Sequence, residues 1–167
     1  MKPTSLLPFL FTIVSLAAPD LKPWEITRLS SMSPPNRPGD GPIPSHVALK
    51  ITDRNGYADP ASAPESTCIV EWQYLEEPYG REFNCTPVEY GAWTIEMVEG
   101  DSAFPSPTTD FKLHILLAQE GGGELFAGEA AFKVGENMRG LCSAGGLCSF
   151  SLKEEMAPIR VVQARRP

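Results

Sequence analysis

An all-β fold is what this chain predicts: a single antiparallel β-barrel or sandwich stapled by two disulfides. Three observations lead there. Apolar and polar residues alternate with period two in one run after another, not with the 3.6 period of a helix. Each run has the length of an ordinary strand and ends in turn residues such as Asn55-Gly56, Pro105-Ser106-Pro107 and Gly121-Gly122-Gly123. Four cysteines, an even count, lie beyond an apolar leader.

Taken in order, Leu21 to Leu29 carries Trp24, Ile26 and Leu29 among polar residues and reads as a short strand or a turn of helix. The stretch Ser33 to Pro44 is rich in breakers, and seven prolines lie between Pro34 and Pro64. It reads as an extended surface loop rather than a peptide-recognition segment. Alternation then dominates. Val47, Leu49 and Ile51 take one face of a strand, as do Cys68, Val70, Trp72 and Tyr74, and then Trp93, Ile95 and Met97. Phe111, Leu113, Ile115 and Leu117 follow, and after them Phe126, Gly128, Ala130, Phe132 and Val134. Phe150 with Leu152 and Ile159 with Val161 complete the series. The best helix candidate, Ala127 to Asn137, reads better as a strand. Strands joined by turns rather than crossover helices exclude a doubly wound α/β fold. Val47, Leu49, Val70, Trp72, Trp93, Ile95, Phe111, Leu113, Ile115 and Phe132 are the expected core.

The length of 167 residues suits one domain. Hydrophobic residues at 42% and charged residues at 21% are ordinary, and proline, at 17 residues, is about twice its usual share. The first residues read as a secretory signal peptide, residues 1–17. Lys2 precedes an apolar run from Ser5 to Ala18, and Ser15 and Ala17 make a small-x-small cleavage site. The run is shorter than the ~20 residues of a spanning helix. Gln163 to Pro167 carries no apolar tail for a lipid anchor. The expected plan is then a proline-rich segment over 18–45, a disulfide-stapled β domain over 46–163 and a basic tail over 164–167, secreted to the extracellular space. Losing Lys2 leaves 13 of the 14 basic residues against 21 acidic ones, a net charge of −8. That sign disfavours phosphate backbones and anionic membranes, so neither nucleic acid nor a membrane is an expected partner.

In an oxidising compartment Cys68, Cys85, Cys142 and Cys148 read as two disulfides. Of three connectivities, the one joining neighbouring segments is Cys68–Cys85 with Cys142–Cys148. Spacings of seventeen and six residues do not match the knuckles that zinc prefers. No calcium-loop motif occurs, and no cofactor is expected. The two histidines, His46 and His114, lie on strands, and no nucleophile elbow accompanies them. Glu71, Glu76, Glu77, Glu82 and Glu89 could hide a glycosidase pair, which makes a secreted hydrolase using paired carboxylates the alternative function. Strand faces and loops, where acids meet water, are the simpler account of them. The glycines between Cys142 and Cys148 could form an anion nest, but a tight disulfide loop needs them anyway. Asn84-Cys85-Thr86 is the only N-x-S/T sequon, a possible glycosylation site at Asn84.

The order of elements resembles a known family. A leader is followed by Trp24-x-Ile26, a proline-rich entry, and Cys68 and Cys85 on adjacent strands. The strand Phe111-x-Leu113-His114-Ile115 and a late Cys142-x5-Cys148 pair complete the pattern. It is similar to the small secreted β-barrel proteins of filamentous fungi, the family of the Alternaria major allergen. That resemblance implies a non-enzymatic, two-disulfide protein, effector- or elicitor-like, engaging an extracellular protein or a small aromatic ligand. The N-terminal cysteine that links some members into dimers has no counterpart, so no covalent dimer is expected. On a rigid β scaffold the loops carry recognition. Leu75 to Arg81 with Tyr79, and Asp101 to Thr109 with Phe104, are the expected partner-binding loops.

Overall fold

The structure, a computed structural model, describes residues 21–35, 43–55, 57–121 and 123–166. The expected leader and residues 36–42 of the proline-rich stretch lie outside these. Among the described residues eleven strands form: β1 (Trp24–Ser33), β2 (Ser45–Thr52), β3 (Glu65–Trp72), β4 (Glu82–Asn84), β5 (Gly91–Glu99), β6 (Asp110–Gln119), β7 (Leu125–Lys133), β8 (Met138–Cys142), β9 (Cys148–Leu152), β10 (Ile159–Val161) and β11 (Gln163–Arg166). The only helical pieces among the described residues are two short 3-10 turns, Pro60–Ser62 and Glu154–Met156. Among the described residues no helix is long and apolar enough to cross a membrane.

Two antiparallel sheets pack face to face. The first has the order β3-β2-β1-β9-β8, with β10 also on β1, and the second has the order β11-β7-β6-β5-β4. The architecture is thus a sandwich rather than a closed barrel. Period-two alternation produces it directly: the inward residues of each strand are buried and their neighbours face water. Every residue of the expected core is buried. Trp24 meets Trp93 edge to face across the centre, with ring centroids 4.7 Å apart, and Phe111 stacks on Phe132.

The chain changes sheets at Val162, from β10 on β1 to β11 on β7. Gly128 of β7 allows this, because a Cβ there would run into the Val161 side chain and the Trp24 ring. On the opposite side the sheets are tied covalently. Cys68 of β3 and Cys85, just after β4, form one disulfide with Cα atoms 4.2 Å apart. The Thr86 amide beside it donates to the Thr67 carbonyl at 2.8 Å. The second disulfide, Cys142–Cys148, closes the β8–β9 hairpin between directly opposed residues.

Two boundaries differ from the sequence reading. Trp24–Ser33, assigned to the segment before the β domain, is the central strand of the first sheet. A β-bulge is the reason. Ile26 pairs with Ile51 and Arg28 with Lys50, leaving Thr27 as an extra residue. Inward positions therefore run Trp24, Ile26, Leu29 and Ser31, a spacing that steps from two to three and so suggests strand and helix equally. Residues 164–166, read as a tail, continue β11 on the edge strand position beside β7.

Candidate functional site

Three connections, residues 72–82, 99–110 and 142–148, gather at one end of the sandwich with residues 33–35 and 43–45. The registers place them together. Ser33 lies opposite Cys148, and Ser45 lies opposite Trp72. From the other sheet, the Thr108 carbonyl accepts a 2.7 Å hydrogen bond from Ser31 Oγ, and Tyr79 bridges Met97. This end carries Ile43, Tyr74, Leu75, Phe104, Leu141 and Leu147, six of the nine large apolar side chains that are exposed among the described residues. Across the five-stranded width of the first sheet they span roughly 20 Å.

The loops that present them are pinned. In the β3–β4 loop the Glu76 amide donates to the Gln73 carbonyl, and Glu76 Oε2 accepts from the Gln73 amide at 3.2 Å. Within that turn Leu75 has φ 69°, a left-handed conformation unusual for leucine, and its side chain is 85% exposed. In the β5–β6 loop Ser106 and Asp110 exchange backbone hydrogen bonds of 3.1 and 2.9 Å. The Ser102 amide donates to Asp110 Oδ2, and Lys112 holds Asp101 at 2.6 Å. Phe104 stands on this braced loop 90% exposed. The β8–β9 loop is shut by its disulfide and by the Ser143 amide donating to the Leu147 carbonyl at 2.7 Å.

The charge here is acidic. Arg81 pairs with Glu76 and Lys112 with Asp101, whereas Glu77 and Glu99 form no ion pair among the described residues. The two expected anchors part company. Phe104 is exposed, as an anchor should be. Tyr79 instead packs against the core. Burial first, then the negative charges of Glu99, Glu77 and Asp110, push its phenol up to about 12. Its hydroxyl is buried with no hydrogen-bond partner among the described residues. Tyr74 and Leu75 are the exposed apolar residues of that loop. Sequence reading missed them because Tyr74 continues the inward parity of Cys68, Val70 and Trp72, and only the turn after Trp72 swings it outward.

The other residues singled out in the sequence are dispersed. Glu71 lies on the outer face of β3, Glu76 and Glu77 in the loop, and Glu82 opposite Glu96 on the other sheet. Glu89 sits at the far end of the sandwich, where it accepts from the Tyr57 hydroxyl at 3.0 Å. No two of them meet in a shared cleft. His46 lies opposite Glu71, while His114 lies between Glu96 and Glu129, 2.8 Å from the latter, on an open sheet face. No group of three or more metal-binding side chains occurs among the described residues. Asn84 is exposed on edge strand β4, its Oδ1 accepting from Thr94 Oγ1 at 3.4 Å. Compared with known proteins, the chain matches no family model, no curated protein and no solved structure.

Proposed function

We propose that this is a secreted, non-enzymatic binding protein, effector- or elicitor-like, which engages an extracellular partner protein through the loop end of the sandwich. The observation that carries this reading is the concentration of exposed apolar side chains on loops whose backbones are already fixed. Ordering a flexible loop on binding costs affinity, and a braced loop avoids much of that cost. Exposed aromatic and leucine side chains serve as anchors at interface centres. The surplus of carboxylates around them favours a partner with a basic rim, met faster at low salt. Two disulfides suit a protein that must resist opening and proteolysis outside the cell. The resemblance to the fungal family of the Alternaria major allergen belongs to this proposal and supports the same class of function.

The test uses the mature protein and plant apoplastic fluid. Wild type and the double variant Leu75→Ala with Phe104→Ala are compared for captured proteins and for the defence response they elicit. Each side chain is almost fully exposed, so the double variant should fold and melt like wild type. Loss of a specific captured partner and of the response is the expected result. Unchanged capture by the double variant would overturn the assignment to this end. Polysaccharide hydrolysis by wild type, abolished by a Glu→Gln change, would overturn the binding reading altogether.

A further inference from the structure

A second surface lies away from the loop end, on the outer face of the first sheet, and its reading does not depend on the one above. Strand β1 shares one of its edges between two partners. Ser30–Ser33 pair with β9, and Trp24–Ile26 pair with β10. Between them residues 153–158 leave the sheet, turn through Glu154–Met156 and stand as a wall. At the same level the β-bulge sets Thr27 and Arg28 in adjacent places on β1. Wall and bulge together open a groove of about 600 Å³, lined by Thr27, Arg28, Ser30, Ala48, Lys50, Thr67 and Ser151 over Leu29, Leu49 and Leu152, with Glu154 and Ala157 along the wall. That volume is in the range of small-ligand sites.

The charges in this groove are not what a passive surface would choose. Arg28 and Lys50 are direct cross-strand partners, and like charges in that position destabilise a sheet. The chain as a whole is acidic, at −7. Lys50 is neutralised by Glu65 at 3.1 Å, and the other oxygen of Glu65 is taken by the Thr27 hydroxyl at 2.7 Å. Those two bonds, the Thr27 one first, hold the Glu65 carboxyl below its ordinary range. Arg28 lies close enough to Glu65 to lower its carboxyl further, but makes no ion pair or hydrogen bond of its own among the described residues. The hydroxyls of Ser30, Thr67 and Ser151 have no side-chain partner among them either. A guanidinium and three hydroxyls without side-chain partners among the described residues thus share one sheet face, around Ala48 and over Leu29, Leu49 and Leu152.

We infer that this groove binds a carboxylate-bearing saccharide, its carboxylate on Arg28 and Lys50 and its hydroxyls along Ser30, Thr67 and Ser151. A guanidinium takes a carboxylate through two parallel hydrogen bonds. Glu65 and Glu154 border the groove and repel a compact dianion such as phosphate, whereas an acidic oligosaccharide carries one carboxylate per sugar ring and sets a single one on Arg28 and Lys50. An apolar acid would cover the three hydroxyls without satisfying them, which costs free energy. The bulge fits the assignment, since bulges commonly re-aim side chains beside binding sites.

The test titrates trigalacturonate into the whole mature protein at low salt, read by calorimetry and by backbone amide shifts. Binding should perturb residues 27–30, 48–50, 67 and 151–157. A neutral galactose trisaccharide, inorganic phosphate and naphthoate should each bind about tenfold more weakly or worse. Arg28→Gln, an exposed change, should weaken trigalacturonate by about tenfold. Glu65→Gln, which frees Lys50, should tighten it, an effect that a merely structural role would not produce. Absence of binding, equal binding of the neutral sugar, tighter binding of phosphate or naphthoate, or indifference to Arg28→Gln would each overturn the proposal. Perturbed amides confined to the loop end would overturn it too.

Discussion

Leu75 holds a conformation that ordinary side chains avoid. A leucine at φ 69° sits where Cβ crowds the following carbonyl, at roughly 1–2 kcal/mol, and glycine does not meet that penalty. Nothing in the core compensates for it, because the side chain is in water. Leu75→Gly should therefore leave stability unchanged or raise it by up to about 1 kcal/mol while removing a side chain proposed to anchor the partner. Urea melts alongside partner capture check this, and a clear loss of stability would refute it. Tyrosines give a second residue-scale expectation. Burial first, then the Glu89 carboxylate that accepts its hydroxyl, pushes the Tyr57 phenol up to about 12, and burial with three nearby acids does the same for Tyr79. A raised phenol is protonated in the folded state at pH values where the unfolded chain has already ionised. Its contribution to stability is present below about pH 10 and lost as pH rises towards about 12. The melting temperature should fall across that window, and Tyr79→Phe should lessen the fall. The same change removes a buried, unpartnered hydroxyl, so it should not destabilise the protein at pH 7.

Most strands were legible from alternation alone, and β5 to β7 are the clearest case. Their inward residues, from Trp93 to Phe132, occupy consecutive positions of one antiparallel ladder and are all buried. Where an element resisted, a local irregularity was the cause. The extra Thr27 broke the parity of β1, and the sheet change at Val162 divided one apparent strand end into β10 and β11. The pairing of cysteines was also legible, since only neighbouring segments had to meet. Their places on consecutive strands pointed to a cross-sheet staple, and Cys68–Cys85 does join the two sheets to each other. Removing it with Cys68→Ala and Cys85→Ala should destabilise the fold by about 3 kcal/mol on the chain-entropy model, for a separation of 17 residues. Both cysteines are buried, so the two cavities add to that loss. Denaturant melts of the double variant provide the measurement, and a stability within experimental error of wild type would contradict it.

At the scale of the whole molecule, the sequence determined the class of fold, the inward faces, the cysteine pairs and the acidic surplus. Each of these depends on local spacing or on composition, and a period of two needs no knowledge of which strand lies beside which. Only the tertiary structure decided that the two sheets remain a sandwich, because closure depends on the edges β3, β8, β4 and β11 and on what lies beside them. It alone decided that Tyr79 turns inward while Tyr74 and Leu75 stand out, since a loop side chain follows its turn and carries no periodic signal. It decided, too, that Arg28 faces Lys50. Those residues are twenty-two positions apart in sequence, and their juxtaposition comes from strand register after a one-residue bulge, which a single chain of letters does not display.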